Sequence, residues 1–80
     1  MTPQQKNLAK AIDEAWLDYN RLFAYEISTG YDDSMDMAER REAEGFASGL
    51  SVAYFMVYGD HYLTTVEICD EDNYTKWLDK

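Results

Sequence analysis

The chain has 80 residues, of which 46% are hydrophobic and 15% aromatic, and its formal net charge at pH 7 is −9. This length suits one small domain over residues 1–80, and the aromatic content excludes a disordered acidic tail. The negative charge argues against direct binding to nucleic acid or to an anionic membrane, because both would repel the protein.

Residues 3–29 are predicted to form the first helix. Thr2 can cap this helix, Pro3 suits its first position, and Gln5 completes a capping box. Apolar residues then recur with helical spacing over about five turns: Leu8, Ile12, Ala15, Tyr19 and Leu22, with Trp16, Phe23 and Ile27 on an adjoining row. Gly30 follows, where a glycine commonly ends a helix.

The second helix is predicted from Ser34 to Tyr58, with Gly59 as its stop. Asp36 and Glu39 place negative charge near its first turn, where the charge opposes the positive end of the helix dipole. Because the connection between the two helices is short, they should be antiparallel neighbours.

Small residues recur four positions apart in the second helix, at Gly45, Gly49 and Ala53. This spacing places them on one helical face, where another backbone can approach closely. Each glycine inside a helix costs about 0.5–1 kcal/mol relative to alanine, so we expect a compensating contact with the first helix. The side chains expected to fill this contact are Trp16, Tyr19 or Phe23. Apolar residues surround the small ones and leave almost no polar face: Phe46, Leu50, Val52, Phe55, Met56 and Val57.

The last third of the chain has two interpretations. The run from Thr64 to Glu67 has the form of a capping box and could open a helix through Trp77 and Leu78. Residues 51–58 and 61–68 could instead pair as a β-hairpin around Gly59. The helix is favoured because a lone hairpin is marginally stable. The predicted fold is therefore all-α, an antiparallel helical hairpin plus a short C-terminal helix, with an α+β fold containing the 51–58/61–68 β-hairpin as the alternative.

Residues with catalytic or metal-binding chemistry are few. His61 and Cys69 are eight residues apart, which is not a helical repeat, and a zinc site needs four such ligands. Two acidic clusters, residues 32–36 and 70–73, could suggest calcium binding, but both lack the glycine and the twelfth ligand of a calcium loop. We therefore expect no enzyme activity, no cofactor and no metal site. A single cysteine forms no internal disulfide and predicts a reduced, cytoplasmic setting, and no apolar run is long enough to span a membrane.

The charge is unevenly distributed along the chain. Residues 1–31 carry four acids and three bases, whereas residues 32–80 carry twelve acids and four bases. Tyrosines between these acids offer stiff contact area with a polar tip, as interfaces favour. We predict that a partner protein with a basic surface binds here, through Tyr31, Asp32, Asp33, Asp36, Glu39, Glu42, Tyr62, Asp70, Glu71 and Asp72.

Helical rows space such carboxylates about 5–6 Å apart, comparable to the roughly 7 Å between phosphates along a nucleic-acid strand. In size, acidity and helical character the chain resembles the small DNA-mimic inhibitors of phages, such as anti-restriction and some anti-CRISPR proteins. The resemblance matches no motif, so it assigns no residues. It implies that the partner has a basic groove that binds nucleic acid.

Three hypotheses follow for the function. The first is a protein-binding inhibitor or accessory factor. The second is a homo-oligomeric structural or adaptor module, in which Gly45, Gly49 and Ala53 pack against a second copy, as two-fold symmetry allows. The third is an antitoxin-like neutraliser that is partly disordered when alone.

Overall fold

The structure is a computed structural model and describes residues 1–78. Helix α1 spans Pro3–Ser28, helix α2 spans Ser34–Tyr58, and one turn of 3-10 helix spans Tyr74–Trp77. The described residues include no strand. The predicted all-α hairpin is therefore confirmed, and its C-terminal element is a single 3-10 turn.

The helix ends follow the local signals in the sequence. Thr2 Oγ1 accepts a hydrogen bond from the Gln5 N–H at 3.1 Å, and Gln5 Oε1 accepts one from the Thr2 N–H at 3.3 Å. Asp33 Oδ1 accepts from the Met35 N–H at 2.8 Å and so caps α2. Gly59 adopts a φ of +70° and ends α2, a conformation that glycine adopts without a Cβ penalty. The predicted helix boundaries agree with the structure to within one residue.

Contacts at both ends of the hairpin show that α1 and α2 run antiparallel. Near the start of α1, Gln5 Nε2 donates to Tyr54 Oη at 3.0 Å. Near its end, Arg40 Nε donates to Glu26 Oε2 at 3.0 Å and Arg40 Nη2 donates to Glu26 Oε1 at 3.2 Å. Only 1% of the Glu26 side chain is exposed, so this ion pair lies inside the helix contact.

The helices do not meet at the predicted small residues. Gly45, Gly49 and Ala53 all lie on the exposed side of α2, and the prediction that they pack against α1 is wrong. Beyond the helix's own turns, nothing in residues 1–78 comes within 4 Å of where a Cβ would stand at Gly45 or Gly49. The two glycines therefore weaken α2 without a compensating contact from the part of the chain that the structure describes.

The contact with α1 uses the opposite side of α2. Ala47 is fully buried there and Tyr54 is nearly so. Ala43 and Ala47 repeat the same four-residue spacing as the glycines. Because the second half of α2 is apolar almost all round, this spacing alone could not indicate which side faces α1.

The aromatic side chains of α1 pack along their own helix instead of onto the glycines. The rings of Trp16 and Tyr19 meet edge-on with centroids 5.4 Å apart, and those of Tyr19 and Phe23 are 5.7 Å apart. The Phe23 ring also lies 4.9 Å from the Arg40 guanidinium. This cation–π contact places Arg40 beside its partner Glu26.

Residues 60–73 form neither the predicted helix nor the alternative hairpin. They run as irregular chain along α1, and side chains of α1 hold them there. Asn20 is fully buried; its Nδ2 donates to the Glu67 carbonyl at 2.7 Å and its Oδ1 accepts from the Cys69 N–H at 2.8 Å. Thr64, expected to open a helix, donates its hydroxyl proton to Asp13 Oδ1 at 2.6 Å.

Two small hydrophobic clusters result from this arrangement. Ala9, Ile12 and Tyr54 form the first, between the start of α1 and the end of α2. Ala24, Cys69 and Trp77 form the second, where the C-terminal segment covers the other half of α1. The C-terminal segment is therefore part of the core.

Burial of Cys69 makes the stability of the protein sensitive to alkaline pH. Burial, with a smaller effect of Asp70, raises the pKa of the Cys69 thiol from 9.0 to about 11. Because the folded state holds this proton more tightly, the associated stability is complete below about pH 9 and is lost as the pH rises through about 11. The loss should be about 2–3 kcal/mol.

Urea unfolding at several pH values between 8 and about 11.5 tests this expectation. Raised tyrosine pKa values, including that of Tyr62, contribute to the same trend. The matched comparison is therefore a Cys69→Ala variant, whose free energy of unfolding should fall less steeply above about pH 9. If the free energies of unfolding of the two proteins fell equally with pH, the raised pKa of the Cys69 thiol would not contribute to the loss of stability.

Candidate protein-binding surface

Tyr31 joins the helix connection to the C-terminal segment. It follows Gly30, and both adopt left-handed backbone conformations, with φ values of 62° and 72°. The Tyr31 N–H donates to the Glu26 carbonyl at 3.0 Å, which closes the end of α1. The Tyr31 hydroxyl donates to Glu71 Oε1 at 2.8 Å, and this hydrogen bond raises the pKa of Tyr31. The contact brings two acidic segments that are distant in sequence to one end of the molecule.

The segment 70–73 is shaped by its own side chains. Asp70 Oδ1 accepts from the N–H groups of Asp72 and Asn73, at 2.8 and 2.9 Å. Asn73 Oδ1 accepts from the Asp70 N–H at 2.7 Å, and its Nδ2 donates to Glu67 Oε2 at 2.8 Å. Such local bonds stabilise a turn. In residues 1–78 no three His, Cys, Asp or Glu side chains are arranged to hold a metal ion.

The Tyr31–Glu71 hydrogen bond links two groups of the predicted binding residues, which together we call the acidic end: Asp32, Asp33 and Asp36 after Tyr31, and Asp70, Glu71 and Asp72. Partial desolvation is the main cause that raises the pKa of Asp36, and the negative charges of Asp33 and Glu26 add to it. The repulsion therefore comes from the two neighbouring carboxylates and is the smaller part of this shift. Asp33 also caps α2, so it serves the fold as well as the surface.

Glu39 and Glu42 lie beside the acidic end, at an open groove between α1 and α2. The helix groove has a volume of about 530 Å³. Its apolar lining, which we call the floor, comprises Ala15, Leu22, Ala43 and Phe46, of which Ala15 is buried and Phe46 is 62% exposed. Charged side chains form its rim: Asp18, Arg21, Glu39 and Glu42. Arg21 forms an ion pair with Asp18 from its own helix, so the rim has a net negative charge.

The structure places Tyr62 apart from the other predicted binding residues. Its hydroxyl donates to Asp13 Oδ2 at 2.8 Å, and this bond is the main cause that raises its pKa. Its ring centroid lies 5.6 Å from that of Tyr54. Asp13 is about 20 Å along α1 from the helix end near Tyr31, by the helical rise. Tyr62 therefore packs the C-terminal segment onto the hairpin.

Sequence reasoning missed Asp18, Leu22 and Phe46 as groove residues. Leu22 was predicted only as part of the apolar row of the first helix, and Phe46 only as part of the apolar run of the second. Asp18 and Leu22 are one helical turn apart, which is the available sign that they share a face. This face of α1 lies beside the charged turns of α2 because of how the two helices pack.

Comparisons with protein-family models, with curated proteins and with solved structures give no match to this chain. Within residues 1–78, neither helix is long and apolar enough to cross a membrane.

Proposed function

We propose that this protein is a binding protein, an inhibitor or accessory factor, that docks its acidic end on a basic surface of a partner protein. The main support is the Tyr31–Glu71 hydrogen bond, which joins residues 32–36 to residues 70–72. The six carboxylates of these two linked segments would attract a basic partner during its approach and favour it over an acidic one.

The helix groove extends this surface and indicates the shape of the partner segment. Its apolar floor can take one or two apolar side chains, while its acidic rim pairs with lysine or arginine. Glu39 stands one helical turn from Asp36, so the rim leads towards the acidic end. A basic amphipathic segment fits this combination.

A narrower form of the proposal is nucleic-acid mimicry. The carboxylates would then occupy the positions of phosphates on a partner that normally binds nucleic acid. Duplex DNA should compete with this protein for the partner's basic surface. Simultaneous binding of DNA and this protein to that partner would contradict mimicry, while leaving a basic binding surface in place.

Charge reversal at two positions tests the acidic end. Asp32→Lys with Asp72→Lys should weaken binding of a Lys/Arg-rich amphipathic helical peptide by about tenfold or more. Both side chains are exposed, and neither makes a side-chain hydrogen bond within residues 1–78, so the fold should be unaffected. Asp33 is unsuitable for this test, because losing its cap would cost about 1 kcal/mol. Fluorescence anisotropy of the labelled peptide gives the affinities.

The charge-matched control is Glu14→Lys with Asp60→Lys, which changes the net charge by the same four units. Within residues 1–78, the side chains of these residues pair only with the neighbouring Lys10 and the His61 N–H at the surface, and circular dichroism should show that the control keeps its helix content. This control should weaken binding by about threefold or less. Binding of the unmodified protein should also weaken as salt rises from about 50 to 300 mM. Equal losses in the two variants would show that only the overall charge matters and would overturn the assignment to the acidic end.

A further inference from the structure

The exposed side of α2 is apolar along its second half. We call it the outer face: Gly45, Gly49, Val52, Ala53 and Met56. With about 100° of rotation per residue, these five positions share one side of the helix, opposite the buried Ala47 and Tyr54. Val52 is 57% exposed and Met56 is 77% exposed. Exposed apolar side chains grouped in this way typify a surface that another protein covers.

The outer face carries no charge, unlike the rest of the molecule. Residues 45–59 contain no Asp, Glu, Lys or Arg, in a chain whose net charge is −9. A charged partner would find no opposite charge here. Two copies of this chain repel each other through their other surfaces, and here they can meet with the least repulsion. A net charge of −9 opposes self-association overall, so a contact between two copies is confined to this uncharged face.

The pattern of small and large residues on the outer face is self-complementary. A two-fold axis between positions 50 and 51, with the two α2 helices antiparallel, sets Met56 of one copy opposite Gly45 of the other. The same axis sets Val52 opposite Gly49. Nothing in residues 1–78 fills the space beside these glycines, so the larger side chains have room to enter. An interface between identical surfaces requires this kind of match.

The available area is close to the least that a dimer needs. Neighbouring exposed side chains widen the outer face on both sides: Phe55 at 43% and Val57 at 69% exposure. The interface would fall at the low end of specific interfaces, near the roughly 1,000 Å² in total that such an interface should bury, as suits a weak dimer. We propose that the protein forms a homodimer in which the outer faces of two antiparallel α2 helices pack together.

Sedimentation equilibrium of the full chain tests the dimer. The mass should rise towards twice the 9.3 kDa of the chain as the concentration increases from about 5 to 500 µM. Higher salt should strengthen the association, because it screens repulsion between two copies of charge −9. Binding of a basic peptide to the acidic end should weaken with salt, so the two proposals have opposite salt dependences. A mass that stays at 9.3 kDa over the whole range would overturn the dimer.

Matched substitutions locate the interface. Met56→Glu should weaken dimerisation by about tenfold or more, whereas Met35→Glu, at a position 66% exposed, should change it by about threefold or less. Both side chains are exposed in the single chain, so far-ultraviolet circular dichroism should show unchanged helix content. Gly49→Leu is a second test: its side chain fits the open space of one chain, but it should separate two packed copies. Equal dimerisation of the Met35 and Met56 variants would contradict the proposed interface.

Discussion

Replacing Arg40 with methionine is expected to lower the free energy of unfolding by about 3–5 kcal/mol. The substitution leaves Glu26, with 1% of its side chain exposed, as a buried carboxylate without its two hydrogen bonds from the guanidinium. It also removes the cation–π contact with Phe23. Urea unfolding followed by circular dichroism gives the change in free energy.

The neighbouring arginine provides the control. Arg41 is exposed, and Arg41→Met should change the free energy of unfolding by about 0.5 kcal/mol or less. Adding Glu26→Leu to Arg40→Met should recover much of the lost stability, because a buried ion pair is often replaceable by apolar side chains. Equal effects of the Arg40 and Arg41 substitutions would contradict a structural role for the buried pair.

Replacing Asn20 with alanine should lower the free energy of unfolding by about 2–5 kcal/mol. Its amide serves both the Glu67 carbonyl and the Cys69 N–H, and each backbone group left without a partner costs about 1–3 kcal/mol. Amide hydrogen exchange should show the loss directly. Protection of the Cys69 N–H should fall, since Asn20 Oδ1 is its acceptor.

Asn7 lies in the same helix and is exposed, so Asn7→Ala is the matched control. Its effect on the free energy of unfolding should stay within about 0.5 kcal/mol. If Asn20→Ala left the exchange of the Cys69 amide unchanged, Asn20 would not hold the C-terminal segment on α1.

The helix boundaries were predictable because their signals are local. The capping box of Thr2 and Gln5 acts within one helical turn and forms as expected, and the cap that the structure shows at Asp33 is equally local. Which side of α2 faces α1 was not predictable, because it depends on a contact between the two helices, from Arg40 to Glu26. A helix that is apolar on nearly every side carries no periodic signal for its buried face.

The irregular path of the C-terminal segment was not predicted, for a related reason. Thr64 has the local form of a helix cap, yet its hydroxyl bonds to Asp13, 51 positions away. A residue that can cap a helix can equally hold an irregular chain, and the sequence does not distinguish these uses. The two groups of carboxylates in the acidic end could be seen in the sequence. Their connection could not, because it depends on the contact between Tyr31 and Glu71, 40 positions apart.

The most direct measurement of the proposed function maps binding residue by residue. Isotope-labelled protein would be titrated with a Lys/Arg-rich amphipathic peptide and followed by the chemical shifts of its backbone amides. If the acidic end binds the peptide, the largest changes should occur at residues 31–36 and 70–72 and at Glu39 and Glu42. Changes centred on Val52 and Met56, or spread evenly over the acidic surface, would contradict binding at the acidic end.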